Sequence, residues 1–279
     1  MSFLLECFAI SHIGNHRKNN EDNFYIGELI SMEEQLSIAQ SQNRFINKSI
    51  VTDNAVNRIF AVSDGMGGHE YGEVASYIVV DALAKFELEN TESKSICEND
   101  KYIYIQSLQR KINQTNKNIN IFSSINSAGD DMGATLSGVV VFSDEIVAIN
   151  IGDSSVFLFE KNKLIKLTTD DNEAELFCGV ATKNNSTGKR LTKYFGLSPT
   201  DGALTATITK PIPLSSEQIY IITTDGLTDY ISTGMIFEIV RKNTENPELT
   251  ANILLSEILR DKSNGRDNIT VVILKIREK

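Results

Sequence analysis

The residues of this chain that could do chemistry are acids placed where apolar runs meet glycine or asparagine. Phe60-Ala61-Val62-Ser63 leads into Asp64-Gly65, with Met66-Gly67-Gly68-His69 behind it. Ile221-Ile222-Thr223-Thr224 leads into Asp225-Gly226, and Asp267-Asn268 opens the run Ile269-Thr270-Val271-Val272. Near the start, Arg17 precedes Glu21-Asp22, and Ile149-Asn150-Ile151-Gly152 ends on Asp153. A carboxylate at the end of a buried strand is costly unless it is paired or bound to a metal. Several gathered at one sheet edge would repel one another, and divalent cations would remove that repulsion. Carboxylate oxygens are hard ligands, suited to Mg²⁺ or Mn²⁺ rather than zinc. Gly65 lets a backbone carbonyl turn toward an ion, and Gly67-Gly68 permits a tight loop into the following helix. Any one Asp-Gly alone reads as a turn, and Asp22 or Asp267 alone as a cap or turn former. His69 reads as a loop or helix-start residue. The signal lies in the ordered set.

Such a set needs a scaffold, and the composition provides for one. The chain has 279 residues, 41% hydrophobic and 23% charged, near the averages for globular proteins. Its net charge of −10 argues against a nucleic-acid binder, which would need a basic face. It does not exclude work on phosphate esters, because bound cations can supply the positive field. Cys7, Cys97 and Cys178 are widely spaced and odd in number, which excludes a disulfide framework and disfavours structural zinc. A reducing compartment is expected. Met1–Ile10 is interrupted by Glu6 and lacks a basic leader, so it reads as a first strand. No run approaches the roughly 18 apolar residues that suggest a membrane span. The expectation is a soluble, cytoplasmic protein with no membrane partner.

Strand character marks Phe3–Ile10, Asn23–Ile26, Arg58–Ser63, Thr135–Phe142, Glu145–Ile151, Val156–Glu160, Leu164–Leu167, Ile219–Thr223 and Ile269–Ile276. The breaks at Ser143-Asp144, Gly152-Asp153 and Lys161-Asn162 are turns between consecutive antiparallel strands. Helical spacing marks Glu73–Leu88 and Tyr102–Ile121, and a later pair, Thr233–Lys242 and Pro247–Leu259. Strands, two helices, strands and two helices again make an α+β layered sandwich rather than alternating βαβ units. Glu28–Asn57 is polar and reads as a hairpin extension or long loop, and Asp171–Thr192 as a surface segment. Nothing divides the chain, so 1–279 reads as one domain.

The ordered set resembles the protein phosphatase 2C family of metal-dependent phosphatases, in its bacterial form. The resemblance rests on Arg17-x-x-Asn20-Glu21-Asp22, then Asp64-Gly65-Met66-Gly67-Gly68-His69 with Gly72-Glu73 and Ala75-Ser76. Gly133-Ala134-Thr135-Leu136, Gly152-Asp153-Ser154, Leu191-Thr192 with Gly196, Asp225-Gly226-Leu227 and Asp267-Asn268-Ile269-Thr270 come after them in the family's order. It implies a four-layer α/β/β/α sandwich of two antiparallel sheets flanked by helix pairs. It also implies two Mn²⁺ or Mg²⁺ ions, with Asp64 bridging them, the Gly65 carbonyl on one, and Asp225 and Asp267 completing the other. Glu21 and Asp22 would act through bound waters, and Asp153 with Asp225 would match a weaker third site. The substrate implied is a phosphorylated protein, the enzyme opposing a serine/threonine kinase and working as a monomer.

Two ions about 3.5–4 Å apart can share a water and make it a nucleophile near neutral pH. Arg17 would hold two phosphate oxygens with its planar fork. No covalent enzyme intermediate is needed, and no cysteine sits in a phosphate-binding loop. Three departures from the family pattern stand out: Met66 where many eukaryotic members carry a histidine acid, Ser155 where arginine is usual, and no histidine in Thr169-Asp170-Asp171-Asn172. Asp171 to Phe195 corresponds to the family's flap, where Lys183, Lys189, Arg190 and Lys193 add positive charge. A solvated surface is the default for such lysines. Rival readings are a pseudophosphatase that only binds, a regulatory phosphatase for one partner protein, and a small-molecule phosphoesterase.

Overall fold

Strands with alternating faces, one toward a second sheet and one toward helices, dominate the chain. The computed structural model describes residues 2–38, 40–41, 44–54, 57–66, 71–92, 101–126, 132–176, 190–260 and 267–279. In chain order the elements begin β1 (Phe3–His12), β2 (Asp22–Tyr25), α1 (Met32–Ile38), β3 (Phe45–Asp53) and β4 (Arg58–Met66). Two long helices come next, α2 (Gly72–Glu92) and α3 (Lys101–Asn126), then β5 (Gly133–Ala134), β6 (Leu136–Val141), β7 (Glu145–Ile151), β8 (Ser155–Glu160) and β9 (Lys163–Lys166). The rest is α4 (Glu173–Leu176), β10 (Thr207–Ile208), β11 (Ile212–Pro213), β12 (Ile219–Thr223), α5 (Asp225–Thr228), α6 (Thr233–Lys242), α7 (Pro247–Arg260) and β13 (Ile269–Glu278).

These strands form two antiparallel sheets. One runs β3-β1-β13-β12-β8-β9; the other runs β10-β7-β6-β4-β2, with β11 beside β7 and β5 beside β4. Period-two alternation decides which side chains go where. Phe60 and Val62 of β4 meet Leu5, Val156, Tyr220 and Val272 between the sheets. Ile59 and Ala61 of the same strand meet Val79, Leu83 and Leu108 of α2 and α3. On the opposite flank Ile221 and Ile273 pack on Ile236, Leu254 and Ile258 of α6 and α7. Three apolar interfaces therefore hold four layers in the order helix, sheet, sheet, helix. This is the α+β sandwich that the element order implied.

The polar stretch 28–57 is more ordered than a loop. It holds α1 and the edge strand β3, which runs antiparallel to β1 from Leu4↔Asp53 to His12↔Phe45. One face of β3 is the better shielded: Ile46 and Ile50 pack between the sheets, while on the other Phe45 is partly covered and Val51 is 63% exposed. Edge strands need only half an apolar pattern, which is why Asn47, Lys48 and Ser49 mask this one in the sequence. Helix α1 opens with a capping box, Ser31 Oγ accepting from the Glu34 N–H and Glu34 Oε2 accepting from the Ser31 N–H. Among the described residues no helix is long and apolar enough to cross a membrane.

Candidate active site

The two sheets bring the acids to one rim. Asp22 at the start of β2 lies directly opposite Asp64 on β4. Asp64 is anchored by its own backbone: its N–H donates to Thr135 Oγ1 at 3.0 Å, and its carbonyl accepts from the Thr135 N–H at 2.8 Å. Across the sandwich, β12 delivers Asp225 to the first turn of α5, and β13 begins just after Asp267. A side-chain carbon on Gly226 would sit 1.9 Å from the Asn268 carbonyl oxygen, so only glycine lets these two strand ends approach.

The N-terminal loop is tied in by Asn268. Its Oδ1 accepts from the Glu21 N–H at 2.8 Å, and its Nδ2 donates to the carbonyls of Ile13 and Asn19 at 3.0 Å each. Gly65 closes the other side: its N–H donates to the Glu21 carbonyl, and an added side-chain carbon would meet the Gly72 carbonyl oxygen at 2.0 Å. The start of α2, the end of β4 and the Arg17–Asp22 loop therefore pack backbone to backbone.

The electrostatics come from crowding acids out of water. Asp22 is fully buried, and burial pushes its carboxyl up to about 8 despite hydrogen bonds from threonines, with the charges of Asp225 and Asp267 adding to the rise. Thr224 Oγ1 donates to Asp22 Oδ2 at 2.8 Å, while Asp22 Oδ1 is buried with no hydrogen-bond partner among the described residues. Burial also pushes Asp64 well above the carboxylate range, reinforced by Asp22, Asp225, Asp153 and Asp267. Asp153 is pushed up to about 7 by burial and then by Asp225, with smaller contributions from Asp170 and Asp229. Glu21 is pushed up to about 7 by burial, opposed by Arg17 and increased by Glu73 and Asp267. Mutual influence of this kind requires proximity, so Glu21, Asp22, Asp64, Asp153, Asp225 and Asp267 form one nest.

The nest wants positive charge. Among the described residues no group of three acids, histidines or cysteines is arranged to hold a metal ion as it stands. An orphaned buried oxygen, an all-oxygen donor set and carboxyls driven toward protonation fit a pair of hard divalent cations. Arg17 supplies charge of that sign. Its Nε and Nη2 donate to Asp267 Oδ1 and Oδ2 at 2.6 and 2.7 Å, and its Nη1 lies 3.7 Å from Glu21 Oε2. The residue expected to grip phosphate thus rests on a carboxylate expected to grip metal.

Residues 46–234 match the profile of the family described as Protein phosphatase 2C. The chain belongs to the protein phosphatase 2C family. The Listeria monocytogenes protein named serine/threonine phosphatase stp is 28% identical over 81% of this protein phosphatase 2C chain and 87% of its own length. Among solved structures, a serine/threonine phosphatase of S. agalactiae superposes with a TM-score of 0.75 at 18% identity, covering 98% of this chain and 100% of that one. The catalytic domain of the serine threonine protein phosphatase PstP, solved in complex with two manganese ions, gives a TM-score of 0.72 at 23% identity, over 99% and 100% of the two chains. At those identities the superpositions establish the fold.

Other expectations meet mixed fates in this phosphatase. His69, Gly67 and Gly68 lie outside the described residues, as do Lys183, Lys189, Cys97 and Cys178. Lys193 pairs with Asp171 at 2.8 Å and so anchors the flap's base; the Asp171 N–H donates to the Gly152 carbonyl and its carbonyl accepts from the Thr192 N–H. Ser155, where the family carries arginine, is buried in β8. Met66 turns its methyl toward Gly133, beside Tyr194. A groove of about 840 Å³, lined by Lys117, Ile121, Met132 and Tyr194, holds none of the acids. The supporting roles of Thr135, Thr224 and Asn268 are not legible in the sequence. Each sits one residue from a motif glycine or aspartate, or within a motif, which was the only available clue.

Proposed function

We propose that this phosphatase hydrolyses phosphoserine and phosphothreonine in proteins with two divalent cations held by Asp64, the Gly65 carbonyl, Asp225 and Asp267. Glu21 and Asp22 lie beside that set and would accept hydrogen bonds from hydrating waters. The carrying observation is the nest itself: acids from distant parts of the chain crowd together with Asp22 Oδ1 buried and unpartnered among the described residues. Bound ions would act as Lewis acids and make a shared water acidic enough to ionise near neutral pH.

The chain's own groups do the rest. Arg17 leaves Asp267 and donates its planar fork to two oxygens of the phosphoryl group, a bidentate grip that lysine cannot reproduce. Asn268 holds the loop carrying Arg17 and Glu21 in register with β13. Thr135 holds the Asp64 backbone, and the Thr224 hydroxyl keeps Asp22 turned into the nest. Met66 has no proton to give, so the leaving seryl or threonyl oxygen takes its proton from water. Cys7 is buried with its thiol pushed up by desolvation, which suits a core residue and not a nucleophile.

Either Mn²⁺ or Mg²⁺ as the bound ion, a third ion between Asp153 and Asp225, a monomeric cytoplasmic enzyme and an opposing serine/threonine kinase complete the reading. The deciding measurement is release of phosphate from phosphoserine and phosphothreonine peptides with Mn²⁺ added. Turnover above that of Asp225→Asn supports the proposal; equal rates sink it. Faster turnover of nucleotides or sugar phosphates than of peptides would overturn the substrate class.

A further inference from the structure

Glu73 is an acid for which this mechanism has no use. It is the second residue of α2, and its Oε2 is buried with no hydrogen-bond partner among the described residues. A carboxylate oxygen out of water without a donor is costly, so something must normally satisfy it. Its surroundings are the metal side of the nest. The carbonyl of the preceding Gly72 presses on Gly65, and a side-chain carbon on Gly72 would meet Glu21 Oε1 at 2.8 Å. The charge of Glu73 acts on Glu21, so the two carboxylates share one corner. An acid near a helix N-terminus is favoured by the helix dipole. That favours Glu73 on α2, but it leaves the buried, donor-free oxygen unexplained.

We propose that Glu73 is a positioning residue that accepts a hydrogen bond from a hydration water of the cation at Asp64 and Gly65. Small divalent ions keep several waters, and those waters are strong donors, which Glu73 Oε2 lacks among the described residues. Glu21 and Glu73 would then hold the hydration shell from two sides, orienting its waters without either acid touching the ion.

The inference rests on the two-cation reading, and the test separates the two. Mn²⁺ is titrated calorimetrically into metal-stripped parent, Glu73→Gln, Glu73→Ala and Asp225→Asn, and the metal-free proteins are melted. Removing an outer carboxylate should weaken Mn²⁺ binding in Glu73→Ala by roughly tenfold. Glu73→Gln should lose less, because its amide oxygen still accepts. Metal-free melting temperatures should hold or rise as repulsion with Glu21 is relieved. Unchanged Mn²⁺ affinity in both Glu73 variants, with loss in Asp225→Asn, overturns this inference alone. No loss in Asp225→Asn sinks the cation reading beneath it. Equal loss in both Glu73 variants together with lower metal-free melting marks a helix-end role and also overturns it. If the alanine variant fails to fold, the isosteric glutamine variant carries the titration.

Discussion

Replacing Arg17 with glutamine should tighten metal binding while it damages catalysis. In the present arrangement Arg17 holds both oxygens of Asp267 at 2.6 and 2.7 Å. The pair is half in solvent, with side-chain exposures of 46% and 39%, so its strength belongs with surface ion pairs at up to about 1 kcal/mol. A divalent ion must displace that pair to reach Asp267. A guanidinium several ångströms from a divalent ion in near-aqueous surroundings adds repulsion of about 1 kcal/mol. Removing both costs favours Mn²⁺ by at most about 2 kcal/mol before salt screening, or roughly tenfold in Kd at moderate ionic strength. Titration calorimetry of metal-stripped Arg17→Gln against parent reads this directly, and the gain should shrink as salt rises. Phosphopeptide kcat/KM should fall by about a hundredfold or more as a charge-assisted bidentate grip worth roughly 3 kcal/mol is lost. Unchanged or weaker Mn²⁺ binding would refute the competition between arginine and metal for Asp267.

The same geometry carries further expected outcomes. Gly226→Ala places a carbon 1.9 Å from the Asn268 carbonyl oxygen, so melting should drop by the equivalent of about 2–3 kcal/mol and Mn²⁺ affinity should fall with it; a silent substitution would contradict the close approach. Glu87→Ala strips the buried partner of Arg58 and of the Ile59 N–H, and should cost about 3 kcal/mol in urea unfolding without changing Mn²⁺ affinity. Burial raises Glu21 to about 7, Asp22 to about 8 and Asp153 to about 7, so the folded state binds more protons than the unfolded one between pH 4 and 8. Stability of the metal-free protein must then fall as pH rises through that window. His12 acts oppositely, its imidazole lowered to about 4 by burial and Arg44, an effect that fades out by about pH 7.5, so melting from about pH 7.5 to 8.5 reads the carboxyls. Saturating Mn²⁺ should flatten or reverse the slope; a metal-free protein that gains stability over that range would contradict the crowding.

Most strands and the long helices were legible because their faces are chemically one-sided. Glu145–Ile151, Ile219–Thr223 and Thr233–Lys242 coincide with β7, β12 and α6 residue for residue. Segment 28–57 was not legible: β3 buries one face of a sheet edge, and α1 is held by a capping box and by packing, neither of which leaves a long apolar pattern. The acids at the site were visible from type and spacing. Their supports were not, since Thr224 meets Asp22 from 202 positions away and Asn268 meets the Glu21 N–H from 247. Local chemistry along the chain thus determined which acids were candidates to hold cations and which segments would be sheet or helix. Tertiary structure decided which acids meet, that Arg17 sits on Asp267, and that Glu73 is trapped beside Glu21. Those outcomes depend on backbone approaches, Gly65 on Gly72 and Gly226 on Asn268, between elements whose separation no one-dimensional pattern encodes.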